Sequence, residues 1–358
     1  MKKAKALKKG DRVAIVSLSN GILGEDFCSH YIPLGSRRLK EFGLEPVFMP
    51  NALKGCEFLK AHPEARAADL KAAFADNSIS GIICAIGGDD TYRLIPYLME
   101  DPEFCSLIMN RPKVFTGFSD TTINHLMLRR LGLNTFYGPN FINDLSEMAD
   151  DMLPYTKDAF GRYLSGKNRE IKSSAEWYEE RSDFSPAAIG TNRISHKEAH
   201  GFELIQGKGT FSGELLGGCL ESFYDIFTSQ RYADQKEICD KYAIFPSFDE
   251  WRGKILFIET CEEQPSPEVL CKELDELKKR GVFDAVNGVI IGKPQNEVYY
   301  DEYKEVYRQM LKPELPVLYN VNFGHAYPHA VIPYGIKAEI CAEKGRITLL
   351  EDMLDYDV

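Results

Sequence analysis

The sequence predicts an α/β protein, and two patterns carry that prediction. Short, continuously apolar runs recur at residues 13–16, 81–86, 255–258 and 288–292. Runs without polar alternation suit a parallel sheet covered on both faces. Between them lie stretches whose apolar residues repeat at helical spacing, so strand and helix alternate as in βαβ units. At 358 residues the chain is long enough for two such cores.

In order, residues 13–16 (Val-Ala-Ile-Val) read as a first strand running into the polar loop 17–21, and 31–42 as a helix closed by Gly43. A second strand is expected at 45–49, ended by Pro50, then an alanine-rich helix over 63–75. The run 81–86 is a buried strand followed by Gly87-Gly-Asp-Asp90, and 91–99 is predicted as one helix from Leu94, Ile95 and Leu98. Residues 114–116 form a strand, 117–119 a tight turn, and Ile123, Leu126, Met127 and Leu131 mark a helix stopped by Gly132. A further strand follows at 135–137. This first half is a doubly wound domain, in which ligands sit at the carboxyl ends of the strands. Gly87-Gly88 and Ser119 both fall there.

Residues 167–200 are polar and poor in aliphatics, and predict a linker or mobile loop. Trp177 within it is either an anchor against the protein body or a platform for a bound substrate. The second half opens with a glycine turn into a helix over 213–225. Strands are expected at 254–259, 288–292 and from 316 toward His325, a helix at 267–280, and a closing hairpin over 338–351 turning at 343–345. The domain division read from this is 1–165 for the nucleophile-bearing domain, 166–209 for linker and substrate loop, and 210–358 for the second domain.

Composition excludes several classes. A net charge of -11 leaves no electrostatic footprint for nucleic acid or an anionic membrane. No apolar run reaches the length of a membrane span, and the lysine-rich start lacks a signal-peptide core, so a cytoplasmic protein is expected. Nine scattered cysteines, with no C-x-x-C, suit reduced thiols rather than a disulfide framework or zinc site. The glycines at 207, 209 and 213 meet neither the dinucleotide nor the Walker spacing. No metal or cofactor is expected.

Three strand ends carry Ser119, Glu259 and His325. A serine on a sharp strand-to-helix turn projects its hydroxyl and has free backbone N–H groups behind it. It needs a base to take its proton, and a carboxylate to orient that base. The backbone N–H groups of Asp120 and Gly88 are the candidate oxyanion donors. Alternatives stay open at this point. Ser119 could simply cap the helix, Glu262 and Glu263 rival Glu259, and His125 and His329 rival His325.

The chain resembles the LD-carboxypeptidase family of serine peptidases, most closely its branch like the microcin C immunity protein. The matching segments are Ala85-Ile-Gly-Gly-Asp-Asp-Thr-Tyr-Arg-Leu-Ile-Pro-Tyr97, Gly117-Phe-Ser-Asp-Thr-Thr122, Tyr137-Gly-Pro139, Ser212-Gly-Glu-Leu-Leu-Gly-Gly218, Ile258-Glu259 and Phe323-Gly-His325. The resemblance implies an N-terminal parallel-sheet α/β domain, a smaller C-terminal domain with a β-rich end, and a Ser-Glu-His site in the cleft between them. It implies Ser119 as nucleophile, Glu259 as orienting acid, His325 as base, Gly88 and Asp120 as oxyanion donors, and a homodimer. Ala85-Ile86 and Asp89 stand where murein enzymes usually carry an arginine and an aromatic residue, which favours the immunity-type branch. Cys219 stands where relatives often have asparagine. Trp177 is the counterpart implied for an aromatic that stacks on a nucleobase. The implied activity is hydrolysis of an amide-type bond in a peptidyl or aminoacyl adenylate. The alternatives are a murein LD-carboxypeptidase releasing D-alanine from tetrapeptides, and a non-catalytic binding protein on a hydrolase scaffold.

Overall fold

The computed structural model describes residues 1–166 and 168–356. Lys167, at the start of the expected polar loop, and the last two residues of the second domain lie outside the described residues. Two sheets organise the molecule. The first has six strands in the order Ile332–Pro333, Phe136–Tyr137, Val114–Gly117, Ile79–Cys84, Arg12–Val16 and Glu45–Phe48. All its pairings are parallel except the one made by Ile332–Pro333, which arrives from the far end of the chain. The interiors of its central strands are wholly buried, as the unbroken apolar runs require.

The second sheet has eight strands. Its parallel centre is Thr210–Cys219, Lys254–Glu259, Gly288–Gly292 and Val317–Val321. The closing hairpin pairs Lys337–Cys341 with Arg346–Leu349 and continues the sheet beside Thr210–Cys219. Both edge strands, Glu170–Lys172 and Glu203–Gln206, come from the stretch expected to be a linker and loop. Their shortness explains why no periodicity marks them. Between them, Glu176–Tyr178 and Ser195–Lys197 form a small antiparallel ribbon.

Three other expectations change. The glycine-rich segment around 213–218 is not a turn but the end of a ten-residue strand. A Cβ at Gly213 would lie 2.6 Å from the Gly253 carbonyl oxygen, and one at Gly217 or Gly218 would overlap Phe257 or Thr122. These glycines permit close backbone approach within the sheet. The helix expected over 91–99 is a 3-10 turn, Thr91–Leu94, followed by a short helix, Ile95–Met99, with Pro96 in its first turn. Helices Gly55–Ala61 and Pro102–Asn110 were not anticipated. The second carries a legible start, because Asp101 accepts hydrogen bonds from the Glu103 and Phe104 amides and Pro102 follows it. Among the described residues no helix is long and apolar enough to cross a membrane.

Both parallel sheets direct carboxyl strand ends at one region. The loops after Val16, Cys84 and Gly117 meet those after Glu259, Gly292 and Val321 around a single cavity of about 830 Å3.

Candidate active site

The chain leaves Val114–Gly117 and enters the helix Thr121–Arg130 within three residues. Such a sharp reversal forces Ser119 into the left-handed region, at φ 64°. A non-glycine residue held there costs on the order of 1–3 kcal/mol. The helix has no side-chain cap, so Ser119 does not serve as one. Its carbonyl accepts from the Thr122 amide, and its own N–H donates to the Tyr137 hydroxyl at 3.0 Å. Gly87 presses on Ser119: a Cβ there would stand 2.7 Å from its Cβ and 2.8 Å from its Oγ. Gly88, at φ 147°, is packed so closely on Ser19 that a side chain would overlap it.

Asp120 ties this loop to the helix. Its buried carboxylate accepts from Ser19 Oγ at 2.7 Å and from the Thr91 amide at 2.9 Å. Ser19 Oγ in turn accepts from the amides of Asp89 and Asp90. Burial pushes Asp120 up to about 6. Asp90 is fixed by a buried double contact with Arg66. The N–H groups of Asp120 and Gly88 have no acceptor among the described residues.

Glu259 closes its strand fully buried, with each oxygen engaged. Oε1 accepts from the Tyr137 hydroxyl at 2.5 Å, and Oε2 faces His325 Nδ1 at 2.8 Å and accepts the His325 amide at 3.1 Å. Gly324, at φ 92°, lies where any side chain would overlap that carboxylate. The other ring nitrogen, His325 Nε2, lies 3.1 Å from Glu262 Oε2. No hydrogen bond joins it to Ser119 Oγ, although both residues line the cavity. Burial opposes charge on this imidazole, but the Glu259 charge and hydrogen bonds to Glu259 and Glu262 outweigh it, and its pKa is pushed well above the usual value.

Of the rivals, Glu262 shares His325 with Glu259, and the others separate cleanly. His125 is spent between the Gly117 carbonyl and Thr135 Oγ1, and burial depresses it to about 3. His329 faces Asp144 at 2.7 Å, away from Glu259. Glu263 approaches Arg231 instead. Cys219 Sγ lies with Glu259 and His325 in a group whose potential ligand atoms are within 4.8 Å of one another. Burial and the neighbouring Glu221 and Glu259 charges push the thiol well above its usual pKa, and Sγ donates to Glu221 at 3.1 Å.

Trp177 does not reach the cavity. Its ring is buried and stacked on His196, centroids 4.2 Å apart, with Lys293 Nζ 5.0 Å from the ring centroid. It is an anchor, and the cavity takes its aromatic faces elsewhere. Phe184, from the same polar stretch, and Phe27 line it and are 50% and 65% exposed. The stretch is pinned: Arg181 and Arg193 both pair with the buried Glu147, and the Glu180 amide donates to Asn296. Sequence reasoning missed Phe184, a large aromatic in a polar segment. It met Tyr137 only as part of a matching segment and Glu262 only as a rival of Glu259, and foresaw neither one's contacts.

Comparison with known proteins adds the last observations. Residues 13–138 match the LD-carboxypeptidase N-terminal domain and residues 212–340 the LD-carboxypeptidase C-terminal domain. An MccF-like protein from Streptococcus pneumoniae, solved in complex with AMP, is 50% identical. The match covers 95% of this chain and 98% of that one, with a TM-score of 0.92. A probable murein peptide carboxypeptidase from Bacillus subtilis is 28% identical, over 96% of this chain and 93% of its own. The microcin C7 self-immunity protein MccF of Escherichia coli is 26% identical, over 82% of this chain and 80% of its own.

Proposed function

The chain belongs to the LD-carboxypeptidase family of serine peptidases, and we propose that it hydrolyses the acyl–nitrogen bond of peptidyl or aminoacyl adenylates, as a detoxifying enzyme. The observation that carries the reading is the hydrogen-bond path from the Ser119 amide through Tyr137 and Glu259 to His325, beside the cavity that Ser119 and His325 line. The nucleotide part is supported by the AMP complex of the 50% identical relative and by exposed Phe184 and Phe27, since aromatic faces suit a base.

In this reading His325 Nε2 accepts the Ser119 hydroxyl proton as Oγ bonds to the scissile carbonyl carbon. The oxyanion is stabilised by the Asp120 and Gly88 N–H groups. The Ser119 N–H is already given to Tyr137, so it is not a third donor. The carbon–nitrogen bond then breaks, and the leaving nitrogen takes the proton from His325. Water attacks the acyl-enzyme, gives a proton to Nε2, and Ser119 leaves with that proton restored. Glu259 holds the Nδ1–H tautomer throughout.

A second reading, trimming of murein tetrapeptides, is favoured by the match to the B. subtilis carboxypeptidase along nearly the whole chain. Both readings carry a cytoplasmic location, which nine unpaired cysteines support, and a homodimer. Sedimentation measures the dimer.

The test is hydrolysis of an aminoacyl sulfamoyl adenosine and of a murein tetrapeptide by wild type and Ser119→Ala. We expect the adenylate to be preferred, and Ser119→Ala to lose about 10^4-fold or more in kcat while still binding it. Preference for the tetrapeptide establishes the second reading. Unchanged turnover in Ser119→Ala removes both.

A further inference from the structure

Glu262 sits where a base in a serine hydrolase should meet its serine. Its Oε2 is 3.1 Å from His325 Nε2, the nitrogen that must accept the Ser119 proton. Nε2 cannot donate to a carboxylate and accept from a hydroxyl at once, so turnover requires Glu262 to exchange this partner for another. The turn that carries it is fixed. The Cys261 amide donates to Glu221, the Gln264 amide to the Cys261 carbonyl, and the Gln264 side chain to Gln295. The Glu262 side chain itself is 64% exposed and lines the cavity. Arg231 cannot satisfy it, because that guanidinium is shared among Asp89, Asp225 and Glu263 at 3.4–3.6 Å.

Water can solvate the released carboxylate, but a cationic group that arrives with the substrate holds it away from His325 more strongly. Near-attack geometry places the scissile carbon about 3 Å from Ser119 Oγ, with Nε2 in hydrogen-bond reach of that oxygen. The α-nitrogen of the acyl residue lies two bonds from the scissile carbon. A carboxylate touching Nε2 is therefore within reach of it.

Resting on the adenylate reading above, we propose that Glu262 binds the free α-ammonium group of the acyl residue. It thereby selects aminoacyl substrates over N-acylated ones and frees His325 when such a substrate docks. The free amine thus completes the site. Chains whose acyl α-nitrogen is already in a peptide bond, including longer peptidyl adenylates and murein tetrapeptides, lack that ammonium group. They displace Glu262 from His325 only against solvent and react more slowly.

The experiment uses two matched pairs: alanyl and N-acetylalanyl sulfamoyl adenosine, and the p-nitrophenyl esters of alanine and N-acetylalanine. Each is hydrolysed by wild type, Glu262→Gln and Glu262→Asp, with Ser119→Ala as the blank. Wild type should favour the free amine by about tenfold or more in kcat/KM. Glu262→Gln should bring the pair within about twofold, through loss on the free-amine member and a gain on the N-acylated one, and Glu262→Asp should recover part of the preference. A preference unchanged in Glu262→Gln, or absent from wild type, overturns the proposal. If only the esters are hydrolysed and their preference follows Glu262, the adenylate reading fails and this one stands. If no compound shows Ser119-dependent hydrolysis, both fail.

Discussion

The two halves of the proposed active site are held by different means. On the nucleophile side the positions are set by backbone: a left-handed Ser119, an oxyanion loop with no room for side chains, and Asp120 tying that loop to the helix. On the acid–base side they are set by side chains: Glu259 is clamped by Tyr137 and His325, while His325 is divided between Glu259 and Glu262. The first half is preset, because its geometry changes only if the chain path changes. The second can adjust by one rotamer of Glu262. A ligand therefore has little to gain at Ser119 and a real switch to operate at His325.

Substitutions that break this contrast should rank accordingly. The largest loss in the acid–base half is expected from Glu259→Gln. The amide cannot stabilise the imidazolium and can turn its NH2 toward Nδ1, favouring the wrong tautomer. A fall in kcat of about 10^4-fold, with fold and substrate binding retained, is the expected outcome in steady-state kinetics and calorimetry.

On the other side a single methyl group should suffice. Gly87→Ala puts a Cβ within 2.8 Å of Ser119 Oγ, so the serine or the loop has to move. Displacement of reacting atoms by about 1 Å costs about 10^2-fold. The expected result is that loss in kcat/KM with a thermal midpoint close to wild type. Full activity would show that the nucleophile side is not preset.

Tyr137→Phe sharpens the comparison, because this hydroxyl joins the Ser119 backbone directly to the Glu259 carboxylate. It accepts from the Ser119 amide and donates to Glu259. Tyr137 is a positioning residue, and its loss should lower kcat by about 10- to 100-fold with KM little changed. It should also move the acid limb of the pH profile, which damage to packing alone would not do.

The smallest change at neutral pH belongs to Glu262→Gln acting on an N-acylated ester, and it should be a gain, because the carboxylate that occupies Nε2 in the absence of an ammonium group is gone. His325 is the base only when neutral, and Glu259 and Glu262 are the charged groups that raise its pKa. Removing one of those charges lowers it, so the acid limb of kcat/KM should shift to lower pH by about one unit. A shift to higher pH would mean that Glu262 does not contact the ring in solution.

Much of this fold was legible from period and punctuation. The central parallel strands are apolar throughout because both their faces are covered, and that signal survives in sequence. The edge strands Glu170–Lys172 and Glu203–Gln206 are not legible. At three and four residues they have no measurable period, and each exists only because a neighbouring strand offers unpaired backbone groups. The glycines of residues 213–218 were misread as a turn for a related reason. Glycine marks close approach as well as reversal, and the approaching backbone of Phe257 is forty residues away.

By itself the sequence determined the strand ends that carry Ser119 and Glu259, since a polar residue after an apolar run emerges at the carboxyl end of a buried strand. His325 lies beyond the end of Val317–Val321, where Asn320 and Asn322 are themselves buried. The sequence also set Asp120 directly after Ser119. The Gly87-Gly88 loop, distant in the chain, reaches Ser119 only because the strands Ile79–Cys84 and Val114–Gly117 pair side by side. Tertiary structure alone decided which histidine meets Glu259, that Trp177 is stacked on His196, and that Phe184 lines the cavity in its place. It also decided that Tyr137 bridges the two halves and that Glu262 competes for the base. These are contacts between residues far apart in the chain. Their partners are set by how two sheets dock, and no local spacing encodes that.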